Sequence, residues 1–237
     1  MAPTRQVRRT VFDTPVLKDI LYFLAVFYLR VFHWKKEGRV PDCPKFVMIA
    51  APHTSNWDLP LTLILSLAFR MKVFWLGKHT IFRPPFGGLF KWLGGIPVDR
   101  RQANDLVTQC IQTFRQSDRL IMIIPPEGTR AQVHYWKTGF YYIAHGAGVP
   151  ICLGYIDYRL KAGGLGPTIT TTGDIEADMV QIRAFYTGVT GKNPHQWAEE
   201  SIGIVRQKPL PPQGELSSPR EKCGIKVSRP PGETVKA

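Results

Sequence analysis

The longest apolar stretch in the 237-residue sequence, Ile20 to Leu29, is only ten residues. A helix that crosses a bilayer needs about 20, so the sequence carries no membrane-span signal. Signal-peptide logic fits poorly too. Arg5, Arg8 and Arg9 precede the run, but Asp13, Lys18 and Asp19 intervene and no small-residue cleavage site follows. Cysteine is scarce: Cys43, Cys110, Cys152 and Cys223 show no metal-ligand or redox spacing, which predicts reduced thiols and a cytosolic-facing body. Gly-x-Ser-x-Gly is missing, so there is no serine elbow. Gly188 to Asn193 lacks the spacing and hydroxyl of a phosphate loop. Gly146-Ala147-Gly148 is not followed by a third glycine, and His-Glu-x-x-His does not occur. Internal repeats are absent as well.

Acidic residues are also few, 18 against 31 Lys and Arg, for a net charge of +13. The excess sits at the ends. Residues 1–40 hold eight basic and three acidic side chains, and 203–237 hold seven and three. Such a distribution suits a globular body whose termini face an anionic surface, either phospholipid or nucleic acid. A chain of this length should bury roughly 70% of its unfolded surface, enough for a core without metal or disulfides.

Three regions are expected. Residues 1–40 form a basic N-terminus with a short helix. Six of the fifteen residues from Ile20 to Trp34 are aromatic, flanked by Lys18, Arg30, Lys35, Lys36 and Arg39. Aromatic rings beside long cations suit the headgroup boundary, so the helix reads as interfacial, with a core-packed helix as the alternative. Residues 41–208 form the main domain. Residues 209–237, rich in proline and without periodicity, read as a disordered basic tail.

Within the main domain, strands and helices alternate. Phe46 to Ala50, Lys72 to Leu76, Leu120 to Ile124 and Val149 to Ile156 read as buried strands. Leu59 to Phe69 and Gly139 to Ala147 read as helices. Leu106, Val107, Cys110, Ile111 and Phe114 make the stripe of an amphipathic helix. Asp174 is placed to cap a helix carrying Ile175, Met179, Ile182 and Phe185. Pro194 opens another, with Trp197, Ala198 and Ile202. The pattern predicts an α/β layered domain with a mostly buried sheet flanked by helices.

Three segments carry candidate chemistry. Pro52-His53-Thr54-Ser55-Asn56-Trp57-Asp58 lies where a strand ends and a helix begins, the position at which α/β folds present reactive groups. Positions five apart on a regular helix diverge by about 140°. His53 and Asp58 can therefore meet only if His53 precedes the helix, a break that Thr54, Ser55 and Asn56 permit. The carboxylate would then fix the imidazole tautomer and leave the other nitrogen to take a hydroxyl proton. Ser55-x-x-Asp58 equally fits a capping box, in which Asp58 bonds only backbone. Gly94-Gly-Ile-Pro-Val-Asp-Arg100, after Lys78, His79, Arg83 and Lys91, is the second segment. Pro126-Glu-Gly-Thr-Arg130 is the third. Each sets a cation beside a glycine turn at a strand end, where N–H groups and a guanidinium could converge on a phosphate.

Taken in order, these segments resemble the glycerolipid acyltransferase family that includes the 1-acylglycerol-3-phosphate acyltransferases. His53 and Asp58 match its His-x4-Asp motif. Gly94 and Arg100 match its glycine with arginine six residues on, Pro126 to Arg130 match Pro-Glu-Gly-Thr-Arg, and Val149-Pro150 match a Val-Pro that enters an apolar strand. The resemblance covers roughly residues 45–160. Pro125 stands where the family usually has an aromatic residue, and Pro97 interrupts the second motif.

The resemblance implies a glycerol-3-phosphate acyltransferase-like fold with a mixed sheet. It implies that His53 is the general base and Asp58 its orienting partner, and that Arg100, Glu127, Gly128 and Arg130 bind glycerol phosphate. Lys78 and Thr129 join that expected substrate-binding set. The donor it implies is an acyl thioester on coenzyme A or acyl carrier protein, already activated, so that neither metal nor other cofactor is required. The expected acceptor is 1-acylglycerol 3-phosphate or another lysolipid. The expected location is the cytoplasmic face of a membrane, with lipids and not nucleic acid as partners. The competing readings are a non-catalytic lipid-binding protein and a nucleic-acid-binding protein.

Overall fold

The computed structural model describes residues 8–98, 103–133 and 135–196, with backbone alone for 103–105. The element order begins with α1 (Leu17–Val31), β1 (Lys35–Glu37), β2 (Lys45–Ala51), α2 (Asp58–Ala68) and β3 (Val73–Lys78). It continues with α3 (Gly87–Trp92), β4 (Gly95–Val98), α4 (Ala103–Gln116), β5 (Leu120–Ile124) and α5 (Gly139–Ala147). It ends with β6 (Ile151–Asp157), β7 (Ala162–Ile169) and α6 (Ile175–Tyr186).

The strands form one seven-stranded sheet in the order β1-β7-β6-β2-β5-β3-β4. All neighbours are parallel except β6 and β7. The sheet is therefore mixed, as expected. Strand β2 lies at its centre and is covered on both faces. Val47, Ile49 and Ala51 join the core beneath α4, α5 and α6, while Phe46 and Met48 join the opposite core with Val73, Trp75 and Phe82. A strand buried on both sides has no polar face, hence the unbroken apolar run in its sequence.

All four anticipated strands form, with ends shifted by one or two residues at β2, β3 and β6. Three further strands leave no apolar signature. Strand β1 is Lys-Lys-Glu, with all three residues exposed. Strand β4 holds a glycine and a proline, and β7 opens Ala-Gly-Gly-Leu-Gly. In β7 the glycines answer close approach: a Cβ on Gly164 would lie 1.9 Å from the Glu37 carbonyl oxygen. Pairing of β1 with β7 also ties the segment before residue 40 into the main sheet.

Helix α1 has two faces. Ala25 and Leu29 pack with Leu61, Leu65 and Ala68 of α2, and Arg70 pairs with Asp19 at 2.7 Å while stacking over Tyr22. The other face leaves Ile20, Phe23, Leu24, Phe27 and Val31 exposed. Asp174 caps α6 by accepting from the Glu176 and Ala177 N–H groups, as its position in the sequence predicts. Pro194 to Gln196 form a single 3-10 turn; Trp197, Ala198, Ile202 and the expected tail at 209–237 lie outside the described residues. Cys110 and Cys152 are free and buried, with ionisation pushed up to about 12 by desolvation. Cys223 lies outside the described residues.

Candidate active site

Parallel strands send their carboxyl ends to one edge of a sheet, and the loops that leave them meet there. Strands β2 and β5 are neighbours in parallel register, so the loop of residues 52–57 and the loop of residues 125–130 emerge side by side. The first carries His53 and the second Glu127 and Arg130. Two motifs 74 residues apart are thereby joined: the His53 N–H donates to Glu127 Oε1 at 3.0 Å.

The 52–57 loop turns sharply before α2 begins at Asp58. That turn brings His53 Nδ1 to 3.1 Å from Asp58 Oδ2. The same oxygen accepts the Ser55 N–H at 2.8 Å, so Asp58 both braces the turn and faces the imidazole. Only half of the capping box forms: Asp58 accepts the Ser55 N–H, but the N-cap is Trp57 and the Ser55 hydroxyl accepts the Trp57 N–H instead. Its other oxygen, Oδ1, accepts the hydroxyl of Tyr158 at 2.8 Å. The carboxylate is 5% exposed and the imidazole 25%. With Nδ1–H directed at the carboxylate, Nε2 is left as the nitrogen able to take up a proton.

A cavity of about 990 Å³ opens at this edge and runs between α2 and the sheet. Its mouth holds His53, Asn56, Lys78, Arg83, Thr129 and Arg130. Its interior is lined by apolar side chains that include Met48, Leu63, Met71, Trp75 and Leu165. A basic, polar mouth over an apolar interior fits an amphiphile with an anionic head. Among the described residues, no group of three His, Cys, Asp or Glu side chains could hold a metal ion.

The anticipated site residues divide into three sets. His53, Asp58, Lys78, Gly128, Thr129 and Arg130 all line the cavity. Glu127 does not. It is buried behind His53, with Oε2 lacking a hydrogen-bond partner, and desolvation pushes its carboxyl up to about 7. Its contact is with the loop that carries His53, not with the cavity. Arg100 lies outside the described residues. Gly94, its motif partner, donates its N–H to Lys91 O and sits at φ +89°, where a Cβ would meet the Val73 carbonyl oxygen at 2.3 Å. That glycine is required by backbone packing, and its N–H is already engaged. Val149 and Pro150 are buried, and Pro150 O accepts the Val47 N–H.

Sequence reasoning missed Tyr158 and gave Arg83 no role. Tyr158 is 100 residues from Asp58 and follows an apolar strand, so no spacing rule links the two. Arg83 is one exposed cation among many until the cavity shows which of them stand at its mouth.

Comparison with known proteins gives a consistent answer. The family described as Acyltransferase matches residues 32–153, just over half of the chain. Among solved structures, the crystal structure of the 1-acyl-sn-glycerophosphate (LPA) acyltransferase PlsC from Thermotoga maritima is similar, with a TM-score of 0.54 and 16% identity. The match covers 73% of this chain and 78% of that chain, and at that identity it shows a common fold. No curated protein sequence matches. The matched segment takes in all four motifs and reaches into β6, and the chain belongs to the Acyltransferase family.

Proposed function

We propose that the protein moves a fatty acyl group from an acyl thioester, on coenzyme A or acyl carrier protein, to the hydroxyl of a lysophospholipid, with 1-acylglycerol 3-phosphate as acceptor. The observation that carries this reading is the His53–Asp58 pair at the mouth of an apolar cavity. In the reaction, His53 Nε2 removes the acceptor hydroxyl's proton as its oxygen attacks the thioester carbon. The tetrahedral intermediate collapses with loss of the thiolate, and the imidazolium returns the proton to sulfur. Asp58 holds the tautomer and stabilises the imidazolium that forms. A thioester is activated already, so positioning and one base account for the chemistry.

Arg130 and Lys78 at the mouth, with Arg83 beside them, supply cations for a phosphate monoester head, while the interior takes an acyl chain. Arg100, by its place in the second motif, is assigned to the same head group. Membrane association completes the reading. Among the described residues no helix is long and apolar enough to cross a membrane. Helix α1 nevertheless exposes an apolar face at Ile20, Phe23, Leu24, Phe27 and Val31, the 3.6-residue periodicity of an interfacial helix. Arg30, Lys35 and Lys36 beside it are exposed and favour an anionic leaflet, at about 1 kcal/mol per cation near the surface. We assign the cytoplasmic face, where acyl thioesters of coenzyme A and carrier protein reside.

The test is transfer of a radiolabelled acyl group to a panel of lysolipids by the wild type and by His53→Ala. Acylation of 1-acylglycerol 3-phosphate that disappears in the variant supports the assignment. No transfer to any lysolipid, or equal transfer by His53→Ala, overturns it.

A further inference from the structure

The Asp58 carboxylate receives three donors on two oxygens, and one of them comes from outside the motif loops. Oδ2 is shared by the His53 ring and the Ser55 N–H, while Oδ1 is held by the Tyr158 hydroxyl at 2.8 Å. A carboxylate rotates easily about its last bond, since that torsion is broad and two-fold. Fixing one oxygen fixes the other.

We propose that Tyr158 is a positioning residue for the His53–Asp58 pair: its hydroxyl holds Oδ1 so that Oδ2 stays on the imidazole, and Trp34 holds the tyrosine ring. The proposal rests on the reading of His53 as the general base. Tyr158 does not line the cavity, so it meets neither substrate and acts through Asp58.

The tyrosine is itself held from three directions. Its N–H donates to Thr190 O at 2.9 Å, directly after β6. Its ring packs against the cluster shared by α1 and α2, which includes Ala25, Leu29 and Leu61. Trp34 meets that ring edge-on, at 5.2 Å between centroids and 89° between planes. Trp34 in turn donates its N–H to Leu29 O at 2.7 Å, which fixes it to the last turn of α1. A continuous path therefore runs from the helix with the exposed apolar face to the carboxylate that orients the base. Burial and the neighbouring Asp58 raise the phenol's ionisation well above its usual range, so the hydroxyl stays a donor.

The experiment compares kcat and KM for acyl-CoA and 1-acylglycerol 3-phosphate across His53→Ala, Asp58→Asn, Tyr158→Phe, the Asp58→Asn/Tyr158→Phe double variant and Trp34→Leu, all in the full chain. Tyr158→Phe keeps the ring and removes only the donor. A lost hydrogen bond to a charged group predicts a kcat about ten-fold lower or more, with both KM values within about two-fold of wild type. If Tyr158 works through Asp58, the two effects are non-additive, and Tyr158→Phe costs less than about two-fold when added to Asp58→Asn. Trp34→Leu leaves the hydroxyl in place but frees the ring, and lowers kcat in the same direction. Nitrogen-15 shifts of His53 should show a mixture of ring tautomers in Tyr158→Phe where the wild type shows one.

Wild-type kcat in Tyr158→Phe overturns the proposal. So does a Tyr158→Phe loss that is undiminished in the Asp58→Asn background, or one confined to KM. A lowered melting temperature with unchanged kcat assigns Tyr158 to packing alone and overturns it too. Should Tyr158→Phe fail to fold, kcat and the His53 nitrogen shifts of Trp34→Leu decide the matter. An active His53→Ala removes the general base, and the proposal falls with it. An inactive His53→Ala beside a wild-type Tyr158→Phe leaves the base standing and removes only the role of Tyr158.

Discussion

His53 Nδ1 and Asp58 Oδ2 stand 3.1 Å apart although the residues are five positions apart in sequence, a separation that a regular helix would turn to roughly opposite sides. The contact exists because α2 starts at Asp58 and the chain before it is free to fold back. His53→Ala is expected to abolish acyl transfer with little change in melting temperature, since a partly exposed loop residue contributes little stability. Asp58→Asn should be nearly as inactive. Asp58→Ala should also lose about 1–3 kcal/mol of stability, because it removes the shared acceptor of the Ser55 N–H and the Tyr158 hydroxyl from a buried position. Steady-state kinetics and thermal melts of the three variants check these outcomes, and an active but less stable Asp58→Ala would reduce Asp58 to a cap.

Glu127 gives the protein a defined pH dependence of stability. Its carboxyl is held at about 7 by burial, against 4.5 in an exposed chain. Below pH 4.5 both states are protonated and the contribution is complete. As pH rises from 4.5 to 7 the unfolded chain loses its proton first, so stability falls by a total of about 3 kcal/mol. Above 7 both states are ionised and the loss levels off. Glu127→Gln keeps an acceptor for the His53 N–H and carries no charge. Its stability relative to wild type should therefore climb between pH 5 and 7, measured by denaturant unfolding at each pH. A constant difference across that range would contradict the buried carboxyl.

Arg130 stands at the cavity mouth next to Thr129. If it grips a phosphate monoester, lysine cannot reproduce the two-pronged contact. Arg130→Lys should then lose about 1.5–3 kcal/mol of acceptor binding, roughly ten- to hundred-fold in apparent affinity. Lysophosphatidate should suffer selectively over an acceptor without the phosphate, at fixed donor concentration. Equal losses on both acceptors would move the arginine to the donor or to loop structure.

Phe23 and Phe27 are 66% and 65% exposed on the outer face of α1. Burying a phenylalanine side chain is worth about 1.5–3 kcal/mol. Phe23→Asp with Phe27→Asp should weaken binding to anionic vesicles by about a hundred-fold or more at constant salt. Neither ring supports the core, so the melting temperature should hold. Cosedimentation with vesicles reads the first quantity and calorimetry the second. Unchanged vesicle binding would transfer the docking role away from α1.

Local chemistry is what the sequence alone determines here. The apolar run of β2, the cap at Asp174 and the amphipathic stripe of α4 are set by neighbours within one element, and each appears where the residues place it. The glycine-rich β7 and the charged β1 escaped, because their pairing depends on what approaches them rather than on their own side chains. The site divides in the same way. His53 and Asp58 share one turn, and their relation follows from the break between strand and helix. Glu127 looks in sequence like a ligand beside Arg130, yet the parallel register of β2 and β5 turns it onto the His53 backbone. Tyr158 reaches Asp58 across 100 residues only because β6 lies beside β2 in the sheet and ends at the same edge. Hydrogen bonds between distant segments depend on which strands become neighbours, and long-range burial of apolar surface decides that.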